Sequence, residues 1–335
     1  MPSMSCRPWS LRLRVAMLAG VLAFAAAVGG VQRATAQALI VYSGSGKQEG
    51  VGERAVPWGV EYSERVAGPF EVSLLYSNQG HYEGHHRDGL AAQFWLRSPS
   101  FGPNVTLAAA VGPFYYFDTV RDGPDGYANL HGTGVIYTLE AQWQFHRRWF
   151  MVLRGNRAIT RSSFDTDAVL LGLGYRWGSG FTEAKPEGDM PLARNEIDVM
   201  LGQTVVNSFS SDQSVAGALE YRRSLRHWLD WSVTALHEGD TRVIRRNGLA
   251  SQLWLVRRAH DDRVALGVGL GPYIALDNHD PVNAEGGHER LAALVSLSAS
   301  YRFSTRWNVR ATWHRVLADY NRDTDVFFAG LGYSY

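Results

Sequence analysis

Apolar and polar residues alternate along most of this 335-residue chain. In residues 327–335, Phe327, Ala329, Leu331, Tyr333 and Tyr335 fall on one side, and Phe328, Gly330, Gly332 and Ser334 on the other. A period of two with one wide apolar face and one face of mostly small residues predicts a β-strand. The same phase runs through Val264, Leu266, Val268 and Leu270 against Ala265, Gly267 and Gly269. It returns in Ala293, Val295, Leu297, Ala299, Tyr301 and Phe303 against Ser296, Ser298, Ser300 and Arg302.

These segments belong to an internal repeat. Gly89-Leu90-Ala91-Ala92-Gln93-Phe94-Trp95-Leu96 matches Gly248-Leu249-Ala250-Ser251-Gln252-Leu253-Trp254-Leu255 at an offset of 159 (248 − 89), and Gly112-Pro113 matches Gly271-Pro272 at the same offset. From Trp149, which pairs with Trp307, the offset is 158 (307 − 149). Asp165-Thr166-Asp167 runs into Gly172-Leu173-Gly174-Tyr175-Arg176-Trp177 as Asp323-Thr324-Asp325 runs into Gly330-Leu331-Gly332-Tyr333-Ser334-Tyr335. Spacing this close to gapless means that both copies keep the same strand and loop lengths. Each copy reads as eight segments, which in the second lie near 196–205, 215–223, 228–237, 248–256, 263–273, 290–303, 307–316 and 325–335.

The stretch Gly330-x-x-Tyr333-x-Tyr335 resembles the closing-strand signature of Gram-negative bacterial outer-membrane β-barrels. That resemblance implies insertion by the barrel assembly machinery, with Gly330, Tyr333 and Tyr335 as the assembly motif. The fold class expected is all-β: a transmembrane antiparallel β-barrel of two homologous eight-stranded repeats. Its large apolar face would meet lipid and its polar face the lumen, the reverse of a soluble barrel. A secreted β-sandwich also alternates, but it gives no reason for Tyr301, Phe303 and Trp307 to gather where one strand ends and the next begins.

The segment 1–36 reads as a cleavable secretory signal, with Arg7, Arg12 and Arg14 ahead of an apolar run from Val15 to Val28 and then Ala34-Thr35-Ala36. The first repeat is 37–177, a linker containing Lys185-Pro186-Glu187-Gly188 is 178–195, and the second repeat is 196–335. The single cysteine, Cys6, lies in the signal, so no disulfide framework holds the exported chain. A mean hydropathy of −0.19 looks soluble, but alternating lipid-facing and lumen-facing residues average to such a value. The net charge of +1 gives no reason to expect nucleic acid. The 35 glycines, 11 Trp, 15 Tyr and 14 Phe suit tight strand packing and interfacial girdles.

A linker at the repeat junction favours two tandem barrels; one sixteen-stranded barrel is the alternative. The two differ in function, because lumen width grows with strand number. Small inward residues favour narrow, filled lumens. The expected role is therefore structural or surface-binding and non-catalytic, with a passive diffusion pore and a lipid-modifying enzyme as alternatives. The partners expected are outer-membrane lipid, lipopolysaccharide and the assembly machinery, with an unknown external ligand and no cofactor.

Candidate chemistry falls in three groups. Glu61, Glu71 and Arg154 in one copy and Glu220, Asp230 and Arg310 in the other are inward charges expected to pair in a poorly solvated lumen. Arg87, Asp88, Asp118, Asp165 and Asp167, with Arg246, Asp277, Asp323 and Asp325, are expected on external loops, either as turn formers or as a shared binding surface. His81, Glu83, His85 and His86 could hold zinc or copper, but the second copy has Asp240-Thr241-Arg242-Val243-Ile244-Arg245 there, which favours a solvated loop tip. No histidine is followed two places later by serine, the pair that small lipid-modifying barrels resemble one another in using, and Gly44-Ser45-Gly46 is no nucleophile elbow.

Overall fold

A computed structural model of the chain describes residues 37–50, 52–102, 104–123, 126–177, 195–259, 262–279, 290–318 and 320–335. The expected signal, 1–36, and all of the expected linker except Asn195 lie outside the described residues. The described chain is antiparallel β-structure, and it falls into two compact units.

The first unit contains β1 (Gln37–Gln48), β2 (Arg54–Ala55), β3 (Trp58–Ala67), β4 (Phe70–Tyr82), β5 (His85–Arg97), β6 (Val105–Asp122), β7 (Gly126–Gln144), β8 (Trp149–Thr160) and β9 (Thr166–Trp177). Each long strand pairs with the next, and β9 returns to β1 over a register running from Gln37↔Trp177 to Gln48↔Thr166. The short β2 lies beside β1 through Gly46↔Ala55 and Lys47↔Arg54, an addition that the alternation does not announce. The second unit contains β10 (Asn195–Val206), β11 (Gln213–Arg226), β12 (Leu229–Thr241), β13 (Ile244–Ala259), β14 (Val264–His279), β15 (Leu291–Arg302), β16 (Trp307–Leu317) and β17 (Thr324–Ser334). These eight close on themselves, β10 pairing with β17 from Glu196↔Ser334 to Val206↔Thr324.

Closure of each repeat on its own first strand excludes the sixteen-stranded alternative, which needs β9 to pair with β10. An open sheet edge in hydrocarbon would leave a row of unpaired backbone groups, so each ring must close completely or not stand in a membrane at all.

The outward faces are as predicted. Leu139, Val169, Leu201 and Leu331 are all more than half exposed. Along β8 the outward positions run Trp149, Met151, Leu153, Gly155 and Arg157, so the apolar stripe begins at a tryptophan. It is interrupted where Arg157 meets Glu49 at 2.8 Å and Asp167 at 3.7 Å, one outward position before Ile159. A barrel with leucines outside and ion pairs inside is built for a hydrocarbon surrounding.

The inward glycines make room for rings. A Cβ on Gly174 would lie 2.1 Å from Phe150 Cζ, and one on Gly269 2.7 Å from Trp254 Cδ2. The narrow face of each strand is therefore narrow because a neighbouring strand fills the space.

Candidate functional site

Each lumen is filled in layers. In the first unit the chain of charges runs Glu71, Arg97, Glu140, Arg154, Glu61. Arg97 Nε donates to Glu71 Oε2 at 2.9 Å, and its Nη2 to Glu140 Oε1 at 3.2 Å. Arg154 donates Nη2 to Glu140 Oε2 and Nη1 to Glu61 Oε2, both at 2.6 Å. The Arg154 side chain is wholly enclosed, 5.0 Å from the centres of the Trp95 and Tyr42 rings. A guanidinium so placed is stable only because two carboxylates neutralise it, and removing either leaves a buried charge.

The second unit reaches the same end with different residues. Arg310 Nε donates to Asp198 Oδ1 at 3.0 Å and its Nη2 to Glu196. Glu220 pairs with Arg222, not with Arg310, and accepts the Thr234 hydroxyl at 3.0 Å. Asp230 takes Arg258 at 2.6 Å. Arg222 lies 3.9 Å over Trp254, the equivalent of Trp95. One tryptophan is thus covered by an arginine from β8 and the other by an arginine from β11.

Above this layer the copies agree again. Trp95 Nε1 donates to Ser73 Oγ and Trp254 Nε1 to Ser232 Oγ, each at 2.8 Å. Gln93 Nε2 donates to Thr138 Oγ1 at 2.8 Å, whose hydroxyl donates to Asn156 Oδ1 at 2.9 Å. In the second unit Gln252 Nε2 donates to Ser296 Oγ at 2.9 Å, and Ser296 Oγ lies 2.5 Å from His314 Nδ1. A serine against an imidazole is the arrangement that activates a nucleophile. Here both residues are fully buried, and asparagine holds the histidine's place in the other copy, so the pair is a link in a hydrogen-bonded layer.

The far end of each lumen is sealed by a clamp that corrects one sequence expectation. Arg87, Asp88 and Asp118 are strand residues in β5 and β6, and Arg246 lies in β13; none is on a loop, and all four are buried. The physical reason lies in the glycines that follow. Asp88-Gly89 and Asn247-Gly248 read as tight turns, but a Cβ on Gly89 would strike Phe114, and one on Gly248 would lie 2.7 Å from Tyr273 Cε2. They admit rings, while the actual turn of the β4–β5 hairpin uses Gly84, at φ 71°.

Arg87 donates Nε to Gln79 Oε1 at 2.6 Å, Nη1 to the Phe164 carbonyl and Nη2 to Thr166 Oγ1 at 3.2 Å. Arg246 donates Nε to Glu238 Oε1 at 2.6 Å, Nη1 to the Arg322 carbonyl at 3.3 Å and Nη2 to Thr324 Oγ1 at 2.8 Å. The two sets of partners stand at equivalent places in the repeat. Asp165 Oδ1 accepts the Thr160 amide at 2.9 Å and Asp323 Oδ1 the Ala318 amide at 2.8 Å, so each folds the final hairpin onto its clamp. Asp165 and Asp323 do lie on the loops that precede β9 and β17, as expected, although Asp323 is buried there. Asp167 and Asp325, expected on loops, lie instead in β9 and β17, where they take arginines of the preceding strand, Arg157 and Arg315. Asp277 lies in β14, again a strand, with its backbone paired to Asn247 of β13.

The histidine cluster does not converge. His81 and His86 stack at 4.0 Å across the β4–β5 hairpin, His85 Nδ1 turns to Asp118 Oδ2 at 3.1 Å, and the Glu83 amide donates to Glu53. Among the described residues, no three His, Cys, Asp or Glu side chains gather as a metal would require. Ser163 Oγ donates to Asp118 Oδ2 at 2.7 Å. An aspartate therefore stands between that serine and His85, where a base would have to be.

Of the assembly motif, Gly330 faces Met200, Tyr333 lies on the outward side of β17 and Tyr335 is 62% exposed. Sequence reasoning missed Arg97, Glu140, Asp198, Glu196, Arg222 and Glu238. Inward phase was the signal that could have found them; recurrence between copies could not, since most change position or type.

No family model matches the chain, and no curated protein matches it. Solved structures similar to it include the N-terminal β-barrel domain of Pseudomonas aeruginosa OprF, at 13% identity and a TM-score of 0.35, covering 42% of this chain and 97% of that one. Neisserial surface protein A is similar at 8% identity and a TM-score of 0.35, covering 42% and 96%. Ail of Yersinia pestis, solved with the heparin analogue sucrose octasulfate, is similar at 12% identity and a TM-score of 0.33, covering 42% and 97%. All three are Gram-negative outer-membrane β-barrels.

Proposed function

We propose that this chain is an outer-membrane protein of structural, non-catalytic role, exported behind a cleaved signal peptide and inserted as two plugged barrels by the assembly machinery. Its lipid partners are the phospholipid and lipopolysaccharide around the rings. The observation that carries the reading is Arg154, enclosed between Glu61 and Glu140 at 2.6 Å from each in the middle of a lumen. A solute would have to break those pairs to pass, and breaking one buried pair costs about 3–5 kcal/mol. This favours structure over diffusion. The recurring polar residues once expected at the surface are occupied in clamping the barrels shut, which leaves them little to offer an external ligand. Nor do Ser296–His314 or Ser163–Asp118–His85 supply an accessible nucleophile with a base beside it.

The test is electrical. Purified protein in a planar bilayer should show little steady conductance. Large, stable, porin-like steps would overturn the reading and put a diffusion pore in its place.

A further inference from the structure

One surface arrangement is built twice. It lies at the end of each barrel where Gln37 meets Trp177 and where Asn195 meets Tyr335. In the β7–β8 turn, Arg148 Nη1 donates to Tyr175 Oη at 3.0 Å; in the β15–β16 turn, Arg306 Nη1 donates to Tyr333 Oη at 3.1 Å. Each tyrosine meets a tryptophan of the adjoining strand edge to face, Trp149 at 4.9 Å and 67°, Trp307 at 5.1 Å and 65°. Phe145 and Phe303 extend both rims outward, at 46% and 55% exposure.

The charge balance of these arginines differs from that of the arginines paired inside the lumens. Arg97, Arg154, Arg222, Arg258 and Arg310 each meet a carboxylate. Arg148 and Arg306 are exposed, and among the described residues no carboxylate pairs with either. A tyrosine hydroxyl holds one nitrogen of the fork and leaves the other N–H groups directed to the surroundings. The cation thus stands at the border of the apolar belt with an aromatic floor beside it. An exposed Arg–Tyr hydrogen bond adds little to stability, so its repetition to within about 0.1 Å asks for another purpose.

We infer that each arrangement is a seat for the phosphodiester of a phospholipid headgroup. The guanidinium takes two phosphate oxygens through its free N–H groups, and the Trp and Phe faces take the first carbons of the acyl chains. In the first barrel the seat lies at the end opposite Arg157, which two carboxylates, Glu49 and Asp167, already engage. The inference rests on the membrane reading above.

Full-length protein folded into phosphatidylglycerol–phosphatidylethanolamine vesicles, then extracted and examined by native mass spectrometry, tests it. Wild type should retain two phospholipids tightly. Arg148→Gln and Arg306→Gln should each lose one, and the double variant both, with retention falling about tenfold. Arg223→Gln/Arg263→Gln, which removes two exposed charges from the same end, should keep both. Lipopolysaccharide or inorganic phosphate displacing the phospholipid at equal concentration would overturn the assignment to phospholipid. Equal retention by the double variant, with insertion confirmed by heat-modifiable migration, would overturn the inference alone. Failure of wild type to insert would overturn the membrane reading and this one with it.

Discussion

Glu238 grips Arg246 at both ends of its guanidinium, Nε to Oε1 at 2.6 Å and Nη2 to Oε2 at 2.8 Å, and the same carboxylate accepts the Thr324 hydroxyl at 2.6 Å. In the first barrel Gln79 does this work for Arg87 with an amide oxygen. A neutral acceptor is therefore sufficient at that place, provided that it reaches. Glu238→Gln should lower stability modestly, by about 1 kcal/mol for a charge-assisted bond made neutral. Glu238→Ala should cost about 3–5 kcal/mol, because Arg246 would be left buried with neither a counter-ion nor an acceptor for Nε. Urea unfolding of the vesicle-bound protein measures both; equal losses would show that a neutral acceptor cannot replace the carboxylate at that place.

The glycine faces make a second prediction. Gly269→Leu drives a side chain into Trp254 and should sharply reduce the folded, heat-modifiable form, with overpacking costing about 1–3 kcal/mol. Gly155→Leu is its contrast. A Cβ there meets nothing within 4 Å and points outward, so folding should be undisturbed. Equal yields from the two variants would contradict the filled lumen.

The length and phase of the strands were legible from the alternation. The eight segments expected in the second copy coincide closely with β10 to β17, because a face that meets lipid must stay apolar at every second residue. Ring closure was not legible, because β9 presents the same outward face whether it meets β1 or β10. The pairing of Glu61 with Arg154 was readable from inward phase. Its continuation through Arg97 and Glu140 was not, since the second copy discharges the same duty from other strands. The clamps were hidden by a real ambiguity: Asp-Gly favours a turn, and it also gives a ring the room it needs.

Closure of β10 on β17 predicts that residues 195–335, expressed alone behind a signal peptide, form a protease-resistant, heat-modifiable barrel. Failure to accumulate would mean that the first repeat supplies something the second lacks. Success would also assign the closing function to β17 without help from β9.

Because every ladder and every lumen ion pair described above is completed within one repeat, genetic compensation should respect the same boundary. A lesion at Arg154 should find its suppressors among residues such as Glu61, Glu140 and Arg97, and a lesion at Arg310 among Asp198 and Glu196. The two copies are then free to diverge as separate lineages within one gene, which accounts for Gln79 in one copy standing where the other has Glu238, and Asn156 where the other has His314.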